Sequence, residues 1–338
     1  MTLLDISELE KFDSQGMYKV YDKWPEIASN SYKLDHEPVS FRDIDNIIFA
    51  GMGGSGAIGD MFAAILSKTK LHVSVVKGYH LPNTVTSNSL IVTTSISGNT
   101  VETLTILESA KKKDCKIIAV SSGGKMEQYC DKNNIDYRKI SQQHSPRASF
   151  AGFLYSLLKI LKPILPLTEN EIKESINELK NLQKSITSTN LQDNNPSLNL
   201  ANWITGIPLI YYPWGLNAVA IRFKNSLQEN AKLHALAEDV IEACHNGIVS
   251  WEKPSTVQPI LIQGKDDYFK TKERWEILKG FFNEKKISYK EVYSVKGNIL
   301  SKLVNLIYLI DYSTIYLAIL SKIDPSPIHS IEYVKNKL

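Results

Sequence analysis

Seven short apolar runs, many of them β-branched, recur along this chain with helical patterns between them. They are Ile44–Ala50, Leu71–Val76, Leu90–Ser95 and Lys116–Ser122 in the first half, and Ile207–Tyr212, Thr256–Gln263 and Ser288–Val295 in the second. Runs of this kind, apolar rather than strictly alternating, predict strands buried on both faces, as in a parallel sheet covered by helices. Helical patterns fill the gaps at Gly54–Lys68, Thr100–Lys113, Arg147–Lys162, Thr168–Ser188, Gly215–Asn230, from Thr271, at Asn298–Lys322 and after Pro327. Strand–helix–strand repetition predicts an α/β fold with right-handed crossovers.

The length, 338 residues, suits two such domains. The polar, turn-rich stretch Thr187–Ser197 is the expected break. The expected division is 1–160 for the first domain, 161–195 for connecting helices and linker, and 196–338 for the second domain with its C-terminal helices. With 39 basic and 36 acidic side chains, the net charge of +3 gives no footprint for nucleic acid or an anionic membrane. Three cysteines, Cys115, Cys130 and Cys244, form neither a disulfide framework nor a CxxC zinc pair, which fits a reduced cytoplasm. The start, MTLLDISELEKF, has no signal-peptide character. Leu303–Ser321 is apolar enough to raise a membrane span, but Asp311 at its middle predicts a buried core helix instead.

Two loops carry chemistry. In FAGMGGSGAIGD, Gly51, Gly53 and Gly56 fit the GxGxxG spacing between a strand and a helix. The dinucleotide reading wants an acidic residue at the end of the next strand, where this chain has Lys77-Gly78. NADP therefore stays open through Lys77, while the broader reading is an anion site at a helix N-terminus, with Ser55 beside it. The second loop, SISGNTVET, follows another buried strand and gathers Ser95, Ser97 and Thr100 around Gly98. Three hydroxyls and free amides at a helix start form a neutral cradle for a phosphate dianion. Two such loops at the carboxyl ends of neighbouring strands lie where open α/β sheets bind ligands, and NADP does not explain the second.

GxGGSG and SxSGNTxET, in that order, resemble the sugar isomerase (SIS) fold. SPRASF (Ser145–Phe150), ENAK (Glu229–Lys232), ACHN (Ala243–Asn246), DPSPI (Asp324–Ile328) and YVK (Tyr333–Lys335) extend the likeness. The whole set is similar to the bifunctional phosphoglucose/phosphomannose isomerases, a family found largely in archaea. That resemblance implies two SIS-type, flavodoxin-like domains. It also implies aldose–ketose isomerisation of glucose 6-phosphate, and of mannose 6-phosphate, to fructose 6-phosphate, a step shared by glycolysis and gluconeogenesis. By the same resemblance Gly54, Ser55, Ser95, Ser97 and Thr100 hold the phosphate, and Arg147, Glu229, His245 and Lys335 form the catalytic set. The family's threonine for epimer choice falls on Ser326, and an aromatic frequent within SxSG is here Ile96. The resemblance further implies a homodimer whose histidine crosses to the partner's site, with no cofactor and no metal.

These residue types suit those roles. Moving a proton between C1 and C2 through a cis-enediol needs one carboxylate of raised pKa, for which Glu229 is the candidate. Arg147 would stabilise the enediolate. His245 would open the sugar ring, assisted by Lys335, a role that suits a histidine because the unperturbed imidazole titrates near pH 6.5. Glu242 and His245 also form an E-x-x-H pair, but a helical metal site needs a second copy, which the sequence lacks. A non-catalytic SIS module sensing a sugar phosphate is the rival reading; it has no use for the acid–base set.

Overall fold

The structure, a computed structural model, describes residues 4–337. The chain forms two compact units. One is Lys23–Ile176; the other is built from the chain up to Asp22 together with Asn177 onward.

In the Lys23–Ile176 unit five strands form a wholly parallel sheet. They are β1 (Asn46–Ala50), β2 (His72–Val76), β3 (Ser89–Ser95), β4 (Lys116–Ser121) and β5 (Asp136–Lys139), in the order β2-β1-β3-β4-β5. β1 and β3 are buried along their full length, as their apolar runs require. The strand order reverses between β1 and β3, and in an open α/β sheet that reversal opens a crevice at the carboxyl edge. The helices Gly53–Leu66 and Val101–Lys112 leave that edge directly after β1 and β3. Phe49 and Phe62 stack at 5.1 Å between strand and helix.

The other unit repeats the plan in shorter form. β6 (Ile207–Tyr212), β7 (Leu236–Asp239), β8 (Val257–Gln263) and β9 (Lys290–Tyr293) are parallel in the order β7-β6-β8-β9. The fold is thus two SIS-type, flavodoxin-like α/β units. The helix Ile299–Leu320 is long and apolar enough to cross a membrane, yet 89% of its most apolar window is buried inside the protein. Its Asp311, fully buried, forms an ion pair with Arg222 at 2.6 Å and accepts from Ser226 Oγ at 2.7 Å. Burial works against the Arg222 charge, but Asp311 overrides it and holds the guanidinium above its ordinary pKa. Removing one member of such a pair costs about 3–5 kcal/mol, because the other is left charged in the core. The pair therefore fixes the helix Asn217–Asn230 on the core helix.

Divided by compactness, the chain parts ahead of Thr187–Ser197. The division falls at 176/177, inside the helix Glu169–Ile186, and the first two helices, Ile6–Phe12 and Met17–Asp22, pack with the later unit. The polar stretch is held instead: Asn195 caps the helix Pro196–Trp203, and Ser188 bonds Asp22 at 2.6 Å.

Candidate active site

The first loop and the second meet at the carboxyl edge of β1 and β3. Ser55 Oγ accepts from the Ile96 N–H at 3.2 Å, joining them. Ser95, fully buried, shares a hydrogen bond of 2.9 Å with Thr100 Oγ1. Ser97 Oγ accepts from the Asn99 N–H at 3.3 Å. Thr100 stands at the N-cap of Val101–Lys112 but makes no side-chain cap, and Met52 at the start of Gly53–Leu66 makes none either. Two helix N-termini thus meet at one crevice with their first amides not capped by those side chains, ringed by four hydroxyls. Such ends attract anions through their N–H groups and the helix dipole.

Glycines make the crevice narrow. A Cβ on Gly54 would lie 3.3 Å from the Pro146 carbonyl oxygen and 3.5 Å from Arg147 Cα. The Pro146–Arg147 peptide is therefore laid against the first loop, and Arg147 is buried beside it. Ser149 closes that turn: its Oγ donates to a carbonyl of Gln143 or Ser145, at 2.9 and 2.8 Å, and accepts from the Gln143 N–H at 2.8 Å. Trp24 Nε1 pins the Ala148 carbonyl at 3.2 Å. Gly98, at φ +71°, backs the second loop; a Cβ there would fall 1.7 Å from the Gly123 oxygen. The loop after β4 completes this backing, with the Met126 N–H on the Gly98 carbonyl and the Lys125 N–H on Asn99 Oδ1. Gly123 and Trp24 were not singled out by sequence, and Ser149 lay within SPRASF without a role of its own; the GG pair at 123–124 is a local signal for a turn.

Lys77 does not stand free for a ribose phosphate. Its Nζ bonds Asp60 Oδ2 at 2.6 Å, and burial pushes the Asp60 carboxyl above its usual pKa despite that lysine. The cation at the end of the second strand is thus already paired within the fold.

In the other unit Glu229 sits half-buried in the last turn of Asn217–Asn230. Lys232 links this turn to DPSPI: its Nζ donates to the carbonyls of Glu229 (2.6 Å), Pro325 (3.2 Å) and Pro327 (2.9 Å). Ser326, between those prolines, is buried, and its hydroxyl lies 3.4 Å from Asp13 Oδ1. The last turn of the Glu229 helix and the Ser326 turn are thereby joined through one ammonium. His245 is exposed beyond the short helix Val240–Ala243 that follows β7, and Lys335 is exposed on His329–Lys335. Glu242 Oε1 accepts from Asn246 Nδ2 at 2.7 Å.

Comparison with known proteins now bears on this arrangement. A family model described as the SIS domain matches residues 40–157, and one described as the bacterial phospho-glucose isomerase C-terminal SIS domain matches 193–338. A bifunctional phosphoglucose/phosphomannose isomerase from Caldicellulosiruptor bescii is 31% identical over 338 residues, covering 95% of this chain and 98% of the relative. The chain belongs to the bifunctional phosphoglucose/phosphomannose isomerase family. A second member of this isomerase family, from Thermoplasma acidophilum, is 31% identical over 88% of this chain and 92% of its own. The bacterial description of the second domain widens the archaeal emphasis of the sequence resemblance. A solved hypothetical protein from Thermus thermophilus superposes with a TM-score of 0.70 at 12% identity, covering 98% of this chain and 88% of that one, which shows a shared fold.

Proposed function

We infer that this chain interconverts glucose 6-phosphate and mannose 6-phosphate with fructose 6-phosphate through a cis-enediol. The near-full-length likeness to the Caldicellulosiruptor bescii isomerase carries this reading. The non-catalytic sensing alternative finds no support among the relatives, which bear enzyme names. Gly54, Ser55, Ser95, Ser97 and Thr100 would hold the phosphate dianion on amides and hydroxyls. Glu229 would carry the proton between C2 and C1, and the Arg147 guanidinium would balance the enediolate charge, an effect worth about 3 kcal/mol for one well-placed donor. His245, assisted by Lys335, would open the ring. Ser326 would meet the hydroxyl whose configuration separates glucose from mannose.

Chain topology supports a homodimer. The helix Asn217–Asn230 runs back from the carboxyl edge of β6, so Glu229 lies toward the amino edge. β7 then climbs parallel to β6 before His245 is reached, so the histidine lies beyond the carboxyl edge. A return helix of 14 residues spans about 21 Å. One unit thus holds Glu229 and His245 at opposite edges of its sheet, so a complete acid–base set would take its histidine from a second copy. A cytoplasmic setting fits the three free cysteines.

The test is a coupled assay for fructose 6-phosphate, fed each aldose phosphate in turn, with dialysed protein and EDTA. Both substrates are expected to turn over in chelator. Inactivity on both, with the protein folded, would overturn the assignment.

A further inference from the structure

ENAK supplies a base candidate in Glu229, and its lysine has no part in the chemistry above. Lys232 shares one feature with other helix ends and has a second of its own. Its backbone sits at φ +56°, in the left-handed region that favours glycine at the end of a helix. Its ammonium meets three main-chain carbonyls, one on the last turn of the Glu229 helix and two flanking Ser326. Lys286 and Lys322 adopt the same backbone after their helices, so it is the three carbonyl contacts that point to a job at the site.

The Ser326 turn is also gripped from the far side. Asp324 Oδ1 accepts from the Ser326 N–H at 2.8 Å, and Asp324 Oδ2 accepts from Ser14 Oγ at 2.5 Å. Asp13, nearly fully buried, faces the Ser326 hydroxyl and accepts from the Tyr18 N–H at 2.7 Å. The turn is therefore held to the fold by groups other than Lys232, while the lysine joins it to the Glu229 helix.

We propose that Lys232 is a positioning residue. By clasping the carbonyls of Glu229, Pro325 and Pro327, it fixes the base and the Ser326 hydroxyl relative to one another, and so sets how evenly the two aldose epimers are turned over. This rests on the isomerase reading. The base must reach C1 and C2 of both epimers, and misplacement of a reacting group by about 1 Å costs roughly a hundredfold in rate.

Lys232→Gly separates positioning from mere helix termination, because glycine relieves the strained backbone while removing the ammonium. A lysine that only ends the helix would be replaced without loss. The expected result is a Lys232→Gly protein that melts no lower than wild type, with kcat reduced roughly tenfold to a hundredfold. The mannose-to-glucose ratio should shift severalfold, and KM should hold because the phosphate cradle is made by other elements. Lys232→Met should show the same split, and Lys232→Arg should recover part of kcat. Wild-type kcat and ratio in Lys232→Gly would overturn the proposal. A wild-type protein inactive on both epimers would overturn the proposed function instead, and hydrogen exchange then decides the clasp alone. Faster exchange of the amides at 324–328 in Lys232→Gly supports it; unchanged exchange removes it.

Discussion

Glu229 is asked to serve two carbons with one carboxylate, and the consequence is sharp at the scale of a single atom. Glu229→Gln keeps the shape of the side chain and loses the basic oxygen. It is expected to abolish exchange of the C2 proton with solvent, followed by NMR in deuterated buffer, while sugar-phosphate binding by calorimetry stays within a few fold. Undiminished exchange would mean another base. The sequence made the residues of the two glycine- and hydroxyl-rich loops legible because GxGGSG and SxSGNT each follow an apolar run. It did not reveal Asp13, which lies 313 positions from its Ser326 partner. Nor did it reveal that Lys77 is committed to Asp60, 17 positions back. Pairings of that kind depend on how strands and helices stack, which no local spacing records.

At the scale of elements, the two glycines with positive φ in the loops after β1 and β3 are not equivalent. Gly98 has φ +71° and a Cβ there would overlap the Gly123 carbonyl at 1.7 Å; Gly53 has φ +52° with nothing within 4 Å. Gly53→Ala should cost about 1 kcal/mol, the penalty of the left-handed backbone alone. Gly98→Ala must also part the loops after β3 and β4, and should cost more than about 4 kcal/mol. Urea denaturation of the two variants checks this, and equal midpoints would show that the loops yield easily. The apolar strands were readable from sequence; β5 and β7 were not. DYRK and LAED are four-residue edge strands, paired on one side, and they carry no apolar run. The helix Gly124–Asn133 escaped notice because Met126 and Cys130 are its only fully buried side chains.

At the scale of the molecule, opposite placement of Glu229 and His245 on one sheet predicts complementation between dead subunits. Glu229→Gln and His245→Ala proteins should each be inactive. Unfolded together and refolded as an equal mixture, they should regain about a quarter of wild-type activity, since half the dimers are mixed and each mixed dimer holds one intact site. No recovery despite exchange of subunits would place both groups in one chain's site. Least legible was the return of the first two helices to the unit built by the second half. The helix Ile299–Leu320 adds a consequence for synthesis. It is the segment most prone to stick to other chains or to a bilayer, and its packing partners Met17–Asp22, Pro196–Trp203 and Asn217–Asn230 all precede it. A ribosome delivering residues at roughly 5–20 per second therefore releases this helix only after its receptor surface exists, which shortens the time it spends unburied.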